Sequence, residues 1–221
     1  VRYPIAETFE SIQGEATHCG ALMFFVRLAA CNVGRYETPE DPELRVLREV
    51  NPKHSICRTA CGDAFLCDTN YHQSKKMTPE EIFQYFRLAW VSITGGEPFL
   101  YDLQPLIDAV PEAGIHIETS GTLKIPDAVG ERCWITCSPK QGFLYENAVW
   151  VNEWKFLVGK NFRLEDADRI VNAGPEGIPV YLSAINSVGD SDGDHSRVIE
   201  ILRQRPDWML TCQWHKFLKM R

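Results

Sequence analysis

The sequence predicts an α/β fold, an incomplete (β/α) barrel of about six to seven mostly parallel strands with reduced helices, formed as one domain over residues 1–221. Three observations predict it. Short apolar runs of strand length, rich in Val, Ile, Leu and Phe, recur along the whole chain. Helical patterns separate several of these runs, the alternation expected of a parallel sheet. Polar residues repeatedly follow the runs, where α/β folds bind ligands. No linker, repeat or low-complexity stretch divides the chain.

Ala6 to Gln13 alternates weakly and leads into Ser11-Ile12-Gln13-Gly14-Glu15, where two hydrogen-bonding side chains flank a flexible backbone point. Ala21 to Leu28 reads as a buried strand. Its Arg27 is costly there unless it pairs with an acid or holds an anion, and both roles stay open. Residues 32–56 carry prolines and many charges, as in Glu37-Thr38-Pro39-Glu40-Asp41-Pro42-Glu43, so a long functional or mobile loop is expected.

Thr78-Pro79-Glu80-Glu81 starts a helix that should reach about Leu88: a threonine cap, proline at the first helical position, acids in the first turn. Trp90 to Thr94 is a strand ending in Gly95-Gly96-Glu97-Pro98, and such glycines let backbone approach a ligand. Leu103, Leu106, Ile107 and Val110 give a helix over Asp102 to Ala113, with Gly114 as its stop, although Pro111 threatens an early end. Further strands are expected at Ile115–Thr119, Trp134–Ser138 and Glu153–Val158, the last with Glu153 and Lys155 on one face. A helix over 164–173 and a strand over 178–184 follow. Residues 186–195 form an acidic polar turn that loosely resembles a calcium loop without its closing glutamate, so a solvated turn is expected. A helix over 195–204 then leads to a last strand, Trp208 to Trp214, with His215 and Lys216 at its end.

With 44% apolar and 24% charged residues, the composition is that of an ordinary globular chain. No apolar run approaches the ~20 residues of a membrane span. The start lacks a signal-peptide pattern, so a cytoplasmic location is expected. A net charge of −7 argues against a surface that tracks nucleic acid. Eight cysteines are many for a reducing compartment, where ligation or burial must account for them. Cys133, Cys137 and Cys212 sit in apolar, strand-like contexts and read as core, and Cys19 as a loop thiol. Cys31, Cys57, Cys61 and Cys67 share one stretch after a core strand, which suggests a metal or cluster over the open end of a sheet. Four thiolates could also close a structural zinc site, but these spacings are wide and irregular for one.

Together these pieces resemble the 7-carboxy-7-deazaguanine synthase family of radical S-adenosylmethionine enzymes. The matching stretches are Glu7 to Glu15, Phe25 to Asn32, Cys67-Asp68-Thr69, Thr94 to Pro98, Glu118 to Gly121, Cys137 to Lys140, Glu153-Trp154-Lys155 and Gln213 to Lys216. The resemblance implies a 4Fe–4S cluster on three cysteines, with one iron left open for S-adenosylmethionine. Cys31 and Cys67 would be two ligands. The other is Cys57 or Cys61, and Cys57 is preferred because Cys61-Gly62 looks like a turn. Gly95, Gly96 and Glu97 would meet the methionine group, and Glu118, Ser138 and Lys140 the adenosyl and carboxylate side. Gln13, Glu15 and Thr94 would face the pterin edge, Arg27 and His215 its carboxylate, and Thr69 a Mg²⁺ ion.

The implied reaction converts 6-carboxy-5,6,7,8-tetrahydropterin to 7-carboxy-7-deazaguanine with loss of ammonia, in queuosine-type biosynthesis. The resemblance also implies a homodimer, an electron donor such as a flavodoxin or ferredoxin, and no nucleic-acid or membrane partner. The chain departs from the family pattern in an expanded cluster loop. Ala16 stands where glycine is usual, and Tyr181 to Ala184 where a Gln-Pro pair is common. Another radical enzyme, such as a glycyl-radical activating enzyme, would share Gly95 to Pro98 but not the Cys67-Asp68-Thr69 or C-terminal pieces.

Overall fold

The computed structural model describes residues 1–69, 73–185 and 195–220. Its strands are β1 (Tyr3–Ile12), β2 (Leu22–Leu28), β3 (Ile56–Arg58), β4 (Ala64–Leu66), β5 (Lys75–Met77), β6 (Trp90–Gly95), β7 (Gly114–Thr119), β8 (Trp134–Cys137), β9 (Glu153–Val158), β10 (Val180–Ala184) and β11 (Met209–Leu210). Nine of them form one sheet in the order β11-β10-β9-β8-β7-β6-β2-β1-β5, and β3 pairs with β4 in a separate hairpin. From β2 to β11 every pairing is parallel, while β1 joins β2 and β5 antiparallel. The outer strands β5 and β11 do not meet, so the sheet is open rather than a closed barrel.

Strand alternation sorts the chemistry. Val91, Ile93, Ile115, Ile117 and Ile135 point into a core shared with Ile82, Phe83, Leu106, Ile107 and Val129. Trp154, Phe156, Leu182, Ile170 and Val198 form a second core further along the sheet. Ser92, Thr94, His116, Glu118, Thr136, Glu153 and Lys155 take the opposite face, and all but Glu118 are buried. Parallel strands covered on both faces are normally apolar throughout, so a polar inner face marks a binding concavity.

The helices are α1 (Pro42–Val50), α2 (Pro79–Phe83), α3 (Gln104–Asp108), α4 (Asp127–Arg132), α5 (Leu164–Val171), α6 (Ser196–Gln204) and α7 (Trp214–Phe217). Three expectations are corrected here. Helix α2 has its capping box between Thr78 and Glu81, but it ends at Phe83 instead of Leu88. A tight turn, Phe86 N–H to Phe83 O at 3.1 Å, then delivers Phe86 to the core. Helix α3 covers five residues rather than twelve, and Pro111 forbids its continuation. The final strand is only Met209–Leu210; after Thr211 bonds Leu182, the chain leaves the sheet and Trp214 N–H bonds Gly14 O at 3.2 Å. His215 therefore sits in the helical turn α7, not at a strand end.

The stretch expected as a loop at 32–56 holds α1, capped by Asp41 and opened by Pro42. Its Leu44 packs on Ile56 and Leu66 of the β3–β4 hairpin, giving the cysteine insert a small core of its own. The acidic stretch at 186–194 lies outside the described residues. Cys133 and Cys137 are buried in the two cores, but Cys212 is half-buried with its Sγ 3.5 Å from His195 Nε2, not a core residue. No helix among the described residues is long and apolar enough to cross a membrane.

Candidate active site

Where β2 and β6 end, the chain folds tightly on itself. Gly96 N–H bonds Leu28 O at 3.2 Å and Glu97 N–H bonds Ala30 O at 3.0 Å. A Cβ on Gly96 would collide with the Ala30 carbonyl and crowd the Cys31 side chain, so this glycine permits the approach that sets Cys31. Val33 N–H then donates to Cys31 Sγ at 3.4 Å.

The hairpin supplies the other thiols. Its register pairs Ile56 with Leu66 and Cys57 with Phe65, and Cys67 N–H bonds Ser55 O at 2.9 Å. Cys57 and Cys67 are thereby brought within hydrogen-bonding reach of each other; the shared proton lowers the Cys57 thiol and raises the Cys67 thiol, with burial adding to the latter. Cys61 lies at the hairpin tip and packs against the second core, where burial raises its thiol. Cys31, Cys57 and Cys67 line one cavity of about 260 Å³, and Cys61 does not. Among the described residues, the fourth thiol that a closed zinc site would need is absent from that cavity.

Facing the thiols is a wall of paired charges. Lys155 Nζ meets Glu15 Oε2 at 2.9 Å, both side chains about nine-tenths buried. Gln13 Nε2 and Thr94 Oγ1 each donate to Glu118 at 3.0 Å. Burial alone would raise the Glu118 carboxyl, but Lys155, then His116 and the two hydrogen bonds, hold it down to about 2. Glu15 and Glu118 in turn keep Lys155 charged against its burial, above the ordinary lysine value.

The remaining expected residues divide. Ser138 and Lys140 line the cavity, with Lys140 Nζ 2.7 Å from Ser138 Oγ, and burial pulls the Lys140 ammonium below its usual value. Arg27 lines it too, donating to Glu7 at 2.9 Å and to Thr69 Oγ1 at 3.4 Å. His215 lies over Gly14, where any Cβ would strike its ring. Thr69 borders Asp68, which Lys216 pairs at 2.9 Å. Glu97 stands apart. Fully buried, it accepts from Thr119 Oγ1 at 2.8 Å, from Ser120 N–H at 2.9 Å, from Ser120 Oγ and from Phe99 N–H, so its carboxylate braces the turn beneath the cavity.

Lys155, Asp68 and Gln213 also line the cavity, although residue type alone gave them no site role. For Lys155 the signal was present, because alternation places it beside Glu153 on the inner face. Gln213 Oε1 is buried on the cavity wall without a hydrogen-bond partner among the described residues, an acceptor suited to a ligand donor. Three convergent thiols opposite this polar wall fit an iron–sulfur cluster with an organic ligand beside it.

No family model matches the chain. It is 31% identical over 228 aligned residues to the 7-carboxy-7-deazaguanine synthase of Synechocystis sp., covering all of this chain and 95% of the relative. It is 30% identical to that of Escherichia coli, with both chains covered in full, and 28% to that of Bacteroides thetaiotaomicron, with 98% of each covered. The crystal structure of QueE from Escherichia coli superposes with a TM-score of 0.67 at 25% identity, covering 95% of this chain and 93% of that one. Similarity of this extent, over a cavity that joins three thiols to a carboxylate–lysine wall, places the chain in the 7-carboxy-7-deazaguanine synthase family.

Proposed function

We infer that the chain acts as a 7-carboxy-7-deazaguanine synthase, a radical S-adenosylmethionine lyase of deazapurine biosynthesis. It takes 6-carboxy-5,6,7,8-tetrahydropterin and releases ammonia. The observation that carries this reading is the meeting of Cys31, Cys57 and Cys67 with Glu118, Lys155, Gln13 and His215 around one cavity. The open sheet is read as an incomplete barrel, and the chain as one domain.

In this proposal Cys31, Cys57 and Cys67 hold a 4Fe–4S cluster. When bound, the cluster and S-adenosylmethionine supply the one-electron chemistry that starts the reaction. The protein's part is placement and exclusion of water. Gly95 and Gly96 set the edge along which the methionine group lies, with Glu97 fixing the turn from beneath. Ser138 and Lys140 border the adenosyl and carboxylate side.

Glu118, held ionised by Lys155, offers a fixed acceptor, and Gln13, Glu15, Thr94 and Gln213 complete the pterin-facing edge. Donors and acceptors fixed in this way reject analogues that leave them unpaired. Lys216, and after it Arg27, offset the burial of Asp68; Arg27 then supplies a cation suited to the substrate carboxylate, and His215, whose burial favours the neutral imidazole, a hydrogen-bonding group beside it. Thr69 would help to hold Mg²⁺, a hard cation that oxygen donors suit. A flavodoxin or ferredoxin as electron donor, a homodimer and a cytoplasmic location complete the proposal.

The test is an anaerobic assay of the reconstituted enzyme with carboxytetrahydropterin, S-adenosylmethionine, dithionite and Mg²⁺. Formation of 7-carboxy-7-deazaguanine is expected. Cleavage of adenosylmethionine without that product would reject the substrate assignment.

A further inference from the structure

Below the layer formed by Glu118 and Lys155, the inner face of the sheet carries a second polar layer that the proposed reaction does not use. We propose that His18, His116 and Glu153 in this layer form a separate site for a divalent transition-metal ion of the zinc type. One donor atom from each lies within 4.8 Å of the others. His116 stands on β7 and Glu153 on β9, both buried. His18 comes from the turn between β1 and β2, its ring 4.5 Å from that of Trp90, 4.9 Å from Trp134 and 5.4 Å from His116.

The hydrogen bonds leave two neighbouring groups unmet, His18 Nδ1 and the indole N–H of Trp134. Ser92 Oγ lies 3.0 Å from His116 Nδ1 and Thr136 Oγ1 lies 2.7 Å from His116 Nε2. Thr136 donates onward to Glu153 Oε1 at 2.5 Å, and Glu153 Oε2 accepts from Thr17 N–H at 3.0 Å. A purely structural network would end there. His18 Nδ1, however, is buried with no hydrogen-bond partner among the described residues. A ring nitrogen in that position is costly unless a hydrogen-bond partner or a metal meets it.

An ion at this point would take the bridging place of the Thr136 hydroxyl. His116 would bind through Nε2 and donate Nδ1–H to Ser92, the outer support that metal-binding histidines normally have. Thr17 already steadies the far carboxylate oxygen. Burial keeps both imidazoles neutral, the form that ligation requires. Bonds of ~2.1 Å place tetrahedral donors ~3.4 Å apart, so the donors must close in. His18 can supply that movement, because its turn is part-exposed, with Cys19 and Gly20 outermost. Two imidazoles and one carboxylate suit zinc, iron, cobalt or nickel, whereas the thiol site above favours iron–sulfur chemistry. A bound ion would tie the loop bearing Gln13 and Glu15 to the strands bearing Glu118 and Lys155. The proposal does not depend on the synthase assignment.

The test uses cluster-loaded enzyme, dialysed anaerobically against Zn²⁺ and desalted, with zinc and iron counted per chain. The expected result is one zinc beyond the iron, binding at least ~10-fold more weakly in His18→Ala. Zinc should raise the Tm of the native chain and leave that of His18→Ala unmoved. Anomalous scattering at the zinc edge, from native crystals, should place the ion between the three side chains. No zinc beyond the iron, equal retention by His18→Ala, or an anomalous peak elsewhere would overturn the proposal.

Discussion

The cysteine side of the cavity and its carboxylate–lysine side are built from different kinds of structure. The cysteine side is largely local. A short helix and a hairpin, α1 with β3–β4, pack around Leu44, Ile56 and Leu66 and carry Cys57 and Cys67, while Ala60 N–H to Pro139 O at 3.1 Å and Gln141 N–H to Arg58 O at 3.0 Å tie the hairpin to the loop after β8. The opposite wall is assembled from strands far apart in sequence. Glu15 and Lys155 meet across 140 residues, Gln13 and Glu118 across 105. An insert can lengthen or shorten freely provided its hairpin keeps register. A wall of buried charges cannot, because each group needs the others to offset its desolvation.

The largest expected effect tests the local side. Cys67→Ala should lose the cluster iron and all synthase activity while keeping the far-UV circular dichroism of the native chain. Cys61→Ala should keep its iron, since that thiol faces the second core. Iron analysis of the two variants decides, and an iron-free Cys61→Ala would put Cys61 in the place of Cys57.

Lys155→Met tests the other side. It strands Glu15 and Glu118 in a buried site without their cation, and should cost about 3–5 kcal/mol in denaturant unfolding of the cluster-free protein. The acid limb should report the same coupling. Glu118 is depressed from 4.5 to about 2, so its stabilisation is complete above pH 4.5 and is lost as pH falls toward 2. The amount is at most about 3 kcal/mol. In Lys155→Met this limb should move to higher pH; an unmoved limb would show that Lys155 does not hold the carboxylate ionised.

How far each side was legible follows from the same difference. The polar wall could be read by alternation. Glu153 and Lys155 share a face, and the strands carrying Thr94 and Glu118 fall within a few residues of their expected positions. What stayed hidden was the partnership, since no local pattern says that Lys155 reaches Glu15. Glu97 shows the limit of motif reading. Its position in the glycine turn suggested a ligand contact, but four hydrogen bonds turn it inward to Thr119, Ser120 and Phe99.

On the cysteine side the clustered thiols are plain in the sequence, and the insert's helix is signalled there too. Asp41-Pro42-Glu43 follows the same helix-starting grammar as Thr78-Pro79-Glu80. The preference for Cys57 over Cys61 rests on the turn that Cys61-Gly62 suggests; that Cys57 lines the cavity and Cys61 does not follows from a hairpin register that three-residue strands barely encode. The C-terminal strand is shorter than its pattern suggests: Trp208 to Trp214 is apolar enough to continue, but the chain turns so that Trp214 N–H bonds Cys212 O and Gly14 O.

Leu44→Ala should separate the two sides energetically. It removes a third of the insert's small core, and should lower local stability there by about 2 kcal/mol. Hydrogen exchange should quicken at the amides of 56–66 and stay unchanged in β6 to β9. Equal quickening in both would mean that the insert and the sheet unfold as one unit.

The smallest effect sharpens the comparison at Ala16. Its φ of 58° lies in the left-handed region, where a Cβ is strained, and its N–H is tied to Thr211 Oγ1 at 2.9 Å. The loop that carries Gln13 and Glu15 is thus bent as glycine would bend it, but with an alanine. Ala16→Gly relieves the strain and also loosens the unfolded chain, which offsets part of the gain. A net stabilisation of about 0.5 kcal/mol is expected from the shift in denaturation midpoint at constant slope. A destabilised Ala16→Gly would show that the Ala16 methyl, buried in the wall, contributes more by packing than its backbone loses by strain.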